Sequence, residues 1–172
     1  MRKTTIMPWT KEWVISYNQE EKLLSEILRE ELTAIFHIGS TSVPVIGYAK
    51  PIIDILVVVK EIEKIDQYNE ALRKAGYKPK GENGIAGRRY FSKGKDKRTH
   101  HVHIFQVGHE NIKDHLDFKA YLMANSEDAK AYGDVKLKLA KQFPESHHNY
   151  QVGKQKFVNE LMKKARGFGR NN

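Results

Sequence analysis

The stretch "FHIGSTSVPVIGYAKPIIDILVVV", residues 36–59, decides the fold. A turn of glycine and small hydroxylic residues separates two apolar runs, and the second run carries a single acid, Asp54. Its β-branched residues predict a strand over 51–59, in which Ile52, Asp54, Leu56 and Val58 alternate with Ile53, Ile55, Val57 and Val59. A carboxylate inside so apolar a strand is costly unless a cation, a basic side chain or several hydrogen bonds hold it. The residues leave two solutions open: a structural pair with Lys50 or an arginine, or a metal or substrate partner.

The turn raises a matching question. Gly39 permits a sharp reversal, and Ser40, Thr41 and Ser42 can offer backbone N–H and hydroxyl donors to an anion, above all phosphate. The plainer alternative is that Ser40 or Thr41 only caps a short helix.

Working outward, the chain of 172 residues has the length of one domain with its own core, and residues 1–172 are expected to form a single domain. Hydrophobic residues make up 40% and charged residues 30%, which excludes a disordered chain. No apolar run reaches membrane-spanning length, and the N-terminus lacks the apolar core of a signal peptide. With no cysteine, disulfides, thiolate zinc sites and cysteine nucleophiles are excluded, and a reducing, cytoplasmic setting is expected. The net charge of +9 favours anionic partners such as nucleotides or phosphorylated metabolites, although a solvated basic surface gives the same total.

Periodicity predicts a helix over 10–32 with Thr10 as its cap and Trp13, Tyr17, Leu24, Ile27 and Leu28 on one stripe. A short strand over 33–38 follows, then the turn, the strand over 51–59, and a helix over 61–75 stopped by Gly76. "GRRYFSK" and "THHVHIFQV" read as strands joined by the basic loop 93–98. Three helical patterns fill the chain from residue 111 onward. The fold class is therefore mixed α+β: a central mixed sheet of four to five strands with a helical C-terminal third.

"HIGSTSVP" and "AKPIIDI" together resemble the signature of the GrpB family, placed in the nucleotidyltransferase (polymerase-beta-like) superfamily. "HVHIF", "HLDFKAYL", Tyr132 and Lys136 in "AYGDVKLKLA", and "YQVGKQKFV" extend the resemblance over nearly the whole chain. It implies a Gly-Ser turn that contacts nucleotide phosphates and strand carboxylates that hold divalent metal. Two departures stand out. The loop after Val43 runs Pro44-Val45-Ile46-Gly47-Tyr48, one residue longer than usual, and Lys119-Ala120 replace a more frequent Arg-Asp.

The Asp-x-Asp pair of two-metal chemistry is missing, since Leu56 stands two residues after Asp54. Histidines are present instead. His101 and His103 share a strand face, and His37 precedes the turn. A set of His37, Asp54, His101 and His103 would suit Zn²⁺, Mn²⁺ or Fe²⁺ better than the Mg²⁺ of the superfamily. Strand histidines are also ordinary packed residues, and His103 can instead serve as a general base beside Asp54. Phosphate contacts are expected from Gly39, Ser40, Thr41, Ser42, Lys50, Arg88 and Arg89, with Lys154 a further candidate. A solvated hairpin would carry the same charges. The expected partner is a nucleotide or phosphorylated small molecule. Nucleic acid ranks lower because no aromatic stacking platform is visible. The function expected first is a nucleotidyltransferase-like enzyme. A His/Asp metal-dependent hydrolase or phosphoryl-transfer enzyme and a non-catalytic nucleotide-binding module are the alternatives.

Overall fold

The computed structural model describes residues 3–170. Helix α1 (Glu12–Leu28) leads into strand β2 (Leu32–Ile38), after a two-residue strand β1 (Met7–Pro8) near the N-terminus. The short β3 (Tyr48–Ala49) precedes β4 (Ile53–Val59), α2 (Asn69–Lys74) and the strands β5 (Tyr77–Pro79), β6 (Arg88–Lys93) and β7 (His100–Gln106). Helices α3 (Glu110–Ala124), α4 (Ser126–Gln142) and α5 (His147–Arg170) complete the chain.

Five strands form one mixed sheet in the order β2-β4-β7-β6-β5, with β4 and β7 parallel and the other neighbours antiparallel. The most apolar segment, β4, takes a central position, where both faces are covered. One face carries Ile53, Ile55, Val57, Val59, Val102 and Ile104, packed against Trp13, Tyr17, Leu24 and Leu28 of α1. The other carries Ile38, Leu56 and Phe105, covered by Ile112 and Leu116 of α3. The register pairs Ile38 with Asp54 and Asp54 with His101, so Asp54 and His101 share this second face.

The sequence expectations hold for the strands and the helical C-terminal third, and the details differ at element ends. Helix α1 stops at Leu28 because Arg29 adopts φ +47, and Leu32 opens β2 instead of closing the helix. Pro51 and Ile52 lie outside β4, held in a bend by an Ile52 N–H to Lys50 carbonyl bond of 2.8 Å. The helix expected over 61–75 is a 3-10 segment (Ile62–Tyr68) followed by the six-residue α2. Gly76 ends it as expected, at φ +96.

A second core lies among the C-terminal helices, where Val43 and Ile46 meet Tyr121, Leu122, Ala129, Tyr132, Leu161 and Ala165. Here Gly133 is required. A Cβ at that position would sit 2.0 Å from the Ile46 carbonyl oxygen. Its absence lets α4 lie directly on the backbone that follows the glycine-serine turn.

Candidate active site

The chain after β2 reverses at Gly39, whose φ of +72 and ψ of −175 form a backbone conformation essentially reserved for glycine. A Cβ on Gly39 would stand 2.8 Å from Asp54 Oδ2, so the turn rests on the carboxylate. Residues Ser40–Ser42 form one 3-10 turn, with no longer helix behind it. Thr41 and Ser42 are buried and their hydroxyls turn inward: Thr41 Oγ1 meets His37 Nε2 at 2.8 Å, and Ser42 Oγ donates to the Gly39 carbonyl at 2.6 Å. From outside, Trp9 Nε1 donates to the Thr41 carbonyl at 2.9 Å and braces the turn. Ser40 remains, beside the Tyr132 hydroxyl.

Asp54 Oδ1 lies 3.3 Å from His103 Nε2 and 3.5 Å from His101 Nδ1. Burial pushes the carboxyl up, but the hydrogen bonds and charges of the two histidines outweigh it and hold Asp54 well below the usual carboxylate range. It therefore sits in the apolar sheet as an anion, with 32% of its side chain open to solvent.

His103 is fixed from its other side. Arg88 Nη1 lies 3.3 Å from His103 Nδ1, and a guanidinium can only donate. The lone pair is therefore on Nδ1, and the proton is on Nε2, directed to Asp54. Arg88 is itself buried, with Nε and Nη2 donating to the carbonyls of Glu82 and Asn83 at 3.1 and 2.7 Å. Its guanidinium also lies 4.8 Å from the Tyr90 ring centre. Burial lowers its affinity for a proton from the usual arginine value. Arg88 thus holds the loop and His103, and its donors face the protein. Arg89, one residue on, points the opposite way and pairs with Asp66 at 2.8 Å.

His37 is a correction to the expected metal set. It pairs across the sheet with Ile55, not Asp54, so it lies on the α1 face. There its ring stacks on Tyr17 with centroids 4.7 Å apart. Burial, aided by nearby Lys119, pushes it down to about 4. Lys119 Nζ caps the end of β2 by donating to the His37 carbonyl at 2.8 Å.

His103 is poorly set to hold a metal ion. Histidine ligands ordinarily donate their second ring N–H to an acceptor, whereas His103 meets a guanidinium there and carries its proton where a metal would bind. Among the described residues, no group of three or more histidines and acids is arranged to hold a metal.

Asp54 and His101 open onto a cleft of about 260 Å³, between the turn, β4, β7, α4 and α5. Its walls include Ser40, Thr41, Lys50, Tyr132, Lys136, Tyr150, Gln151 and Lys154. Three lysines thus face one carboxylate. Lys136 is only 3% exposed, and its ammonium lies 4.5 Å from the Tyr132 ring centre. Lys50 lies 4.9 Å from the Tyr150 ring centre. Burial, then repulsion by Lys154 and Lys50, pushes Lys136 well below the usual lysine range against the pull of Asp54. Burial also lowers Lys154.

Of the residues expected at the site, the structure brings Ser40, Thr41, Lys50, Asp54, His101 and Lys154 to the cleft and sets Gly39 against Asp54. His103 stands behind Asp54. His37, Arg88 and Arg89 are engaged elsewhere. Sequence reasoning missed the roles of Tyr132, Lys136 and Tyr150. The signal was a Tyr-x-x-x-Lys spacing repeated on two helices, Tyr132/Lys136 and Tyr150/Lys154, which places each pair on one helix face.

The family profile described as GrpB protein matches residues 3–164. The chain belongs to the GrpB family. It is 44% identical to UPF0157 protein YqkA of Bacillus subtilis, over 99% of this chain and 50% of that protein, so the chain spans about half the length of that relative. It is 34% identical to glutamate-rich protein GrpB of Alkalihalophilus pseudofirmus, over 89% and 90% of the two chains. Among solved structures, conserved protein GrpB from Enterococcus faecalis superposes with a TM-score of 0.85 at 42% identity, covering 93% of this chain and 98% of that one. The Cid1 poly(U) polymerase superposes with a TM-score of 0.56 at 16% identity, covering 86% of this chain and 49% of the polymerase. That likeness shows the nucleotidyltransferase fold in this GrpB protein.

Proposed function

We propose that this GrpB protein binds a nucleotide or another phosphorylated small molecule in the cleft and acts on it as a nucleotidyltransferase-like enzyme. The observation that carries this reading is Lys136, a lysine 3% exposed that makes no ion pair among the described residues. Keeping an ammonium in such a place costs several kcal/mol, and an anionic ligand offsets that cost. Tyr150 points to the same ligand, because its hydroxyl is buried without a hydrogen-bond partner in the wall of the cleft.

In this reading the phosphates rest on Lys50, Lys136 and Lys154, and the acceptor hydroxyl approaches His101. With Asp54 accepting at His101 Nδ1, the lone pair of that ring is on Nε2, where it can take the acceptor's proton. The acceptor oxygen then bonds to the α-phosphorus, the bond from that phosphorus to the bridging oxygen breaks, and pyrophosphate leaves against the lysines. Asp54 stabilises the imidazolium that forms, which assigns the general base to His101 and a positioning role to His103. Support for transfer chemistry comes from the fold, and support for the phosphate from the lysines.

The test is thermal unfolding with millimolar nucleoside mono-, di- and triphosphates and sugar phosphates. A ligand at a hundred times its Kd stabilises by about 2.7 kcal/mol, a Tm rise of roughly 5–10 °C. Lys154→Met should erase the shift. No shift with any phosphorylated compound would refute the reading.

A further inference from the structure

The resemblance to the nucleotidyltransferase superfamily implies divalent metal on strand carboxylates, and this cleft offers a different arrangement. Among the described residues, Asp54 is the only acid in its wall. Its Oδ1 is taken by His101 and His103, which leaves at most Oδ2, on the side of Gly39, to meet a cation. A hard divalent cation that binds through one or two carboxylates and water finds no free pair of oxygens there. The same wall holds Lys50, Lys136 and Lys154, each an ammonium on a long stem that can meet a phosphate oxygen as a point charge.

We propose that the cleft binds the polyphosphate of its ligand as the metal-free anion, with Lys50, Lys136 and Lys154 supplying the neutralising charge in place of divalent cations. This rests on the phosphate-binding reading above and specifies how that site works. Two further observations support it. The Arg88 guanidinium directs the His103 proton at Asp54 and so removes that nitrogen from metal ligation. The volume of about 260 Å³ suits a chain of two or three phosphates and lies below the roughly 300–1,000 Å³ of pockets that enclose a whole drug-sized ligand. The phosphates fill the cleft, and any nucleoside extends out of it.

Titration calorimetry with inorganic triphosphate, in EDTA and in saturating Mg²⁺, tests the proposal on the whole chain. Binding in EDTA should be at least about tenfold tighter than in Mg²⁺, since the cation withdraws charge from the ligand. Asp54→Asn should keep or tighten binding in EDTA, because it removes the one opposing charge. Lys136→Met should weaken it at least about tenfold, and Lys154→Met, at a half-buried position, should do the same if Lys136→Met fails to fold. Binding that requires Mg²⁺, or that Asp54→Asn abolishes, overturns the metal-free inference and leaves the phosphate reading standing. No binding in either condition, or lysine variants that bind like the wild type, overturns both.

Discussion

Gly39→Ala is the most exacting perturbation of the site, because two independent costs fall on one methyl group. The backbone there, φ +72 and ψ −175, strains any residue with a Cβ by about 1–3 kcal/mol. The methyl would also stand 2.8 Å from Asp54 Oδ2 and 3.2 Å from Asp54 Cβ, well inside van der Waals contact. Asp54 must shift, and with it the contacts of 3.3 and 3.5 Å to His103 and His101. Losing one hydrogen bond to a charged group costs about 1.5–3 kcal/mol, for a total of roughly 2.5–6 kcal/mol. For a chain of this size that is a Tm drop of about 5–24 °C. Gly47→Ala is the matched control. It too has positive φ, at +83, but nothing lies within 4 Å of its added Cβ, so it carries backbone strain alone. Differential scanning calorimetry of both variants reads the difference. If Gly39→Ala is no more destabilising than Gly47→Ala, the claim that the turn is seated on Asp54 is wrong.

Three further outcomes follow from the same geometry. Lys136→Met should raise Tm at pH 7 without ligand. The folded protein holds this lysine below its unfolded value, so its ionisation opposes folding at neutral pH and the penalty lifts as pH rises toward the unfolded value; the gain from the variant should shrink along that path. His37 is shifted from 6.5 to about 4 on folding, so the unfolded chain takes up its proton first as pH falls. Stability present above pH 6.5 should be lost progressively toward pH 4, by about 3–4 kcal/mol from this residue, and urea titrations of His37→Gln should show a flatter profile. Nitrogen-15 NMR should find His103 deprotonated at Nδ1 and protonated at Nε2, and Arg88→Met should release that preference. A wild-type His103 protonated at Nδ1 would contradict the assigned tautomer.

Much of the fold was readable because it depends on local patterns. The β-branched run of β4, the alternation that isolates Asp54, Gly39 and Gly76 all act within a few residues. What failed depended on register and on distant packing. His37 and Ile38 are neighbours in sequence, yet only the pairing of Ile38 with Asp54 shows which of them shares the aspartate's face. Arg88 and Arg89 look like one basic pair and point to opposite sides of β6, where one holds His103 and the other Asp66. Lys136 lies on the stripe Ala129, Tyr132, Gly133 and Lys136, the buried positions of α4. A lysine at that spacing usually reaches out to water. Here Gly133 brings the helix onto the Ile46 carbonyl, and the lysine has the cleft to enter instead.

In the proposed function a phosphate chain lies on Lys50, Lys136 and Lys154 in front of Asp54. A crystal structure of the protein soaked with inorganic triphosphate in EDTA tests it most directly. Phosphate density is expected in the cleft, within hydrogen-bond distance of Lys136 Nζ, Lys154 Nζ and the Tyr150 hydroxyl, with no metal ion at Asp54. Density confined to the basic hairpin loop at residues 93–98, or an empty cleft at saturating ligand, would contradict it.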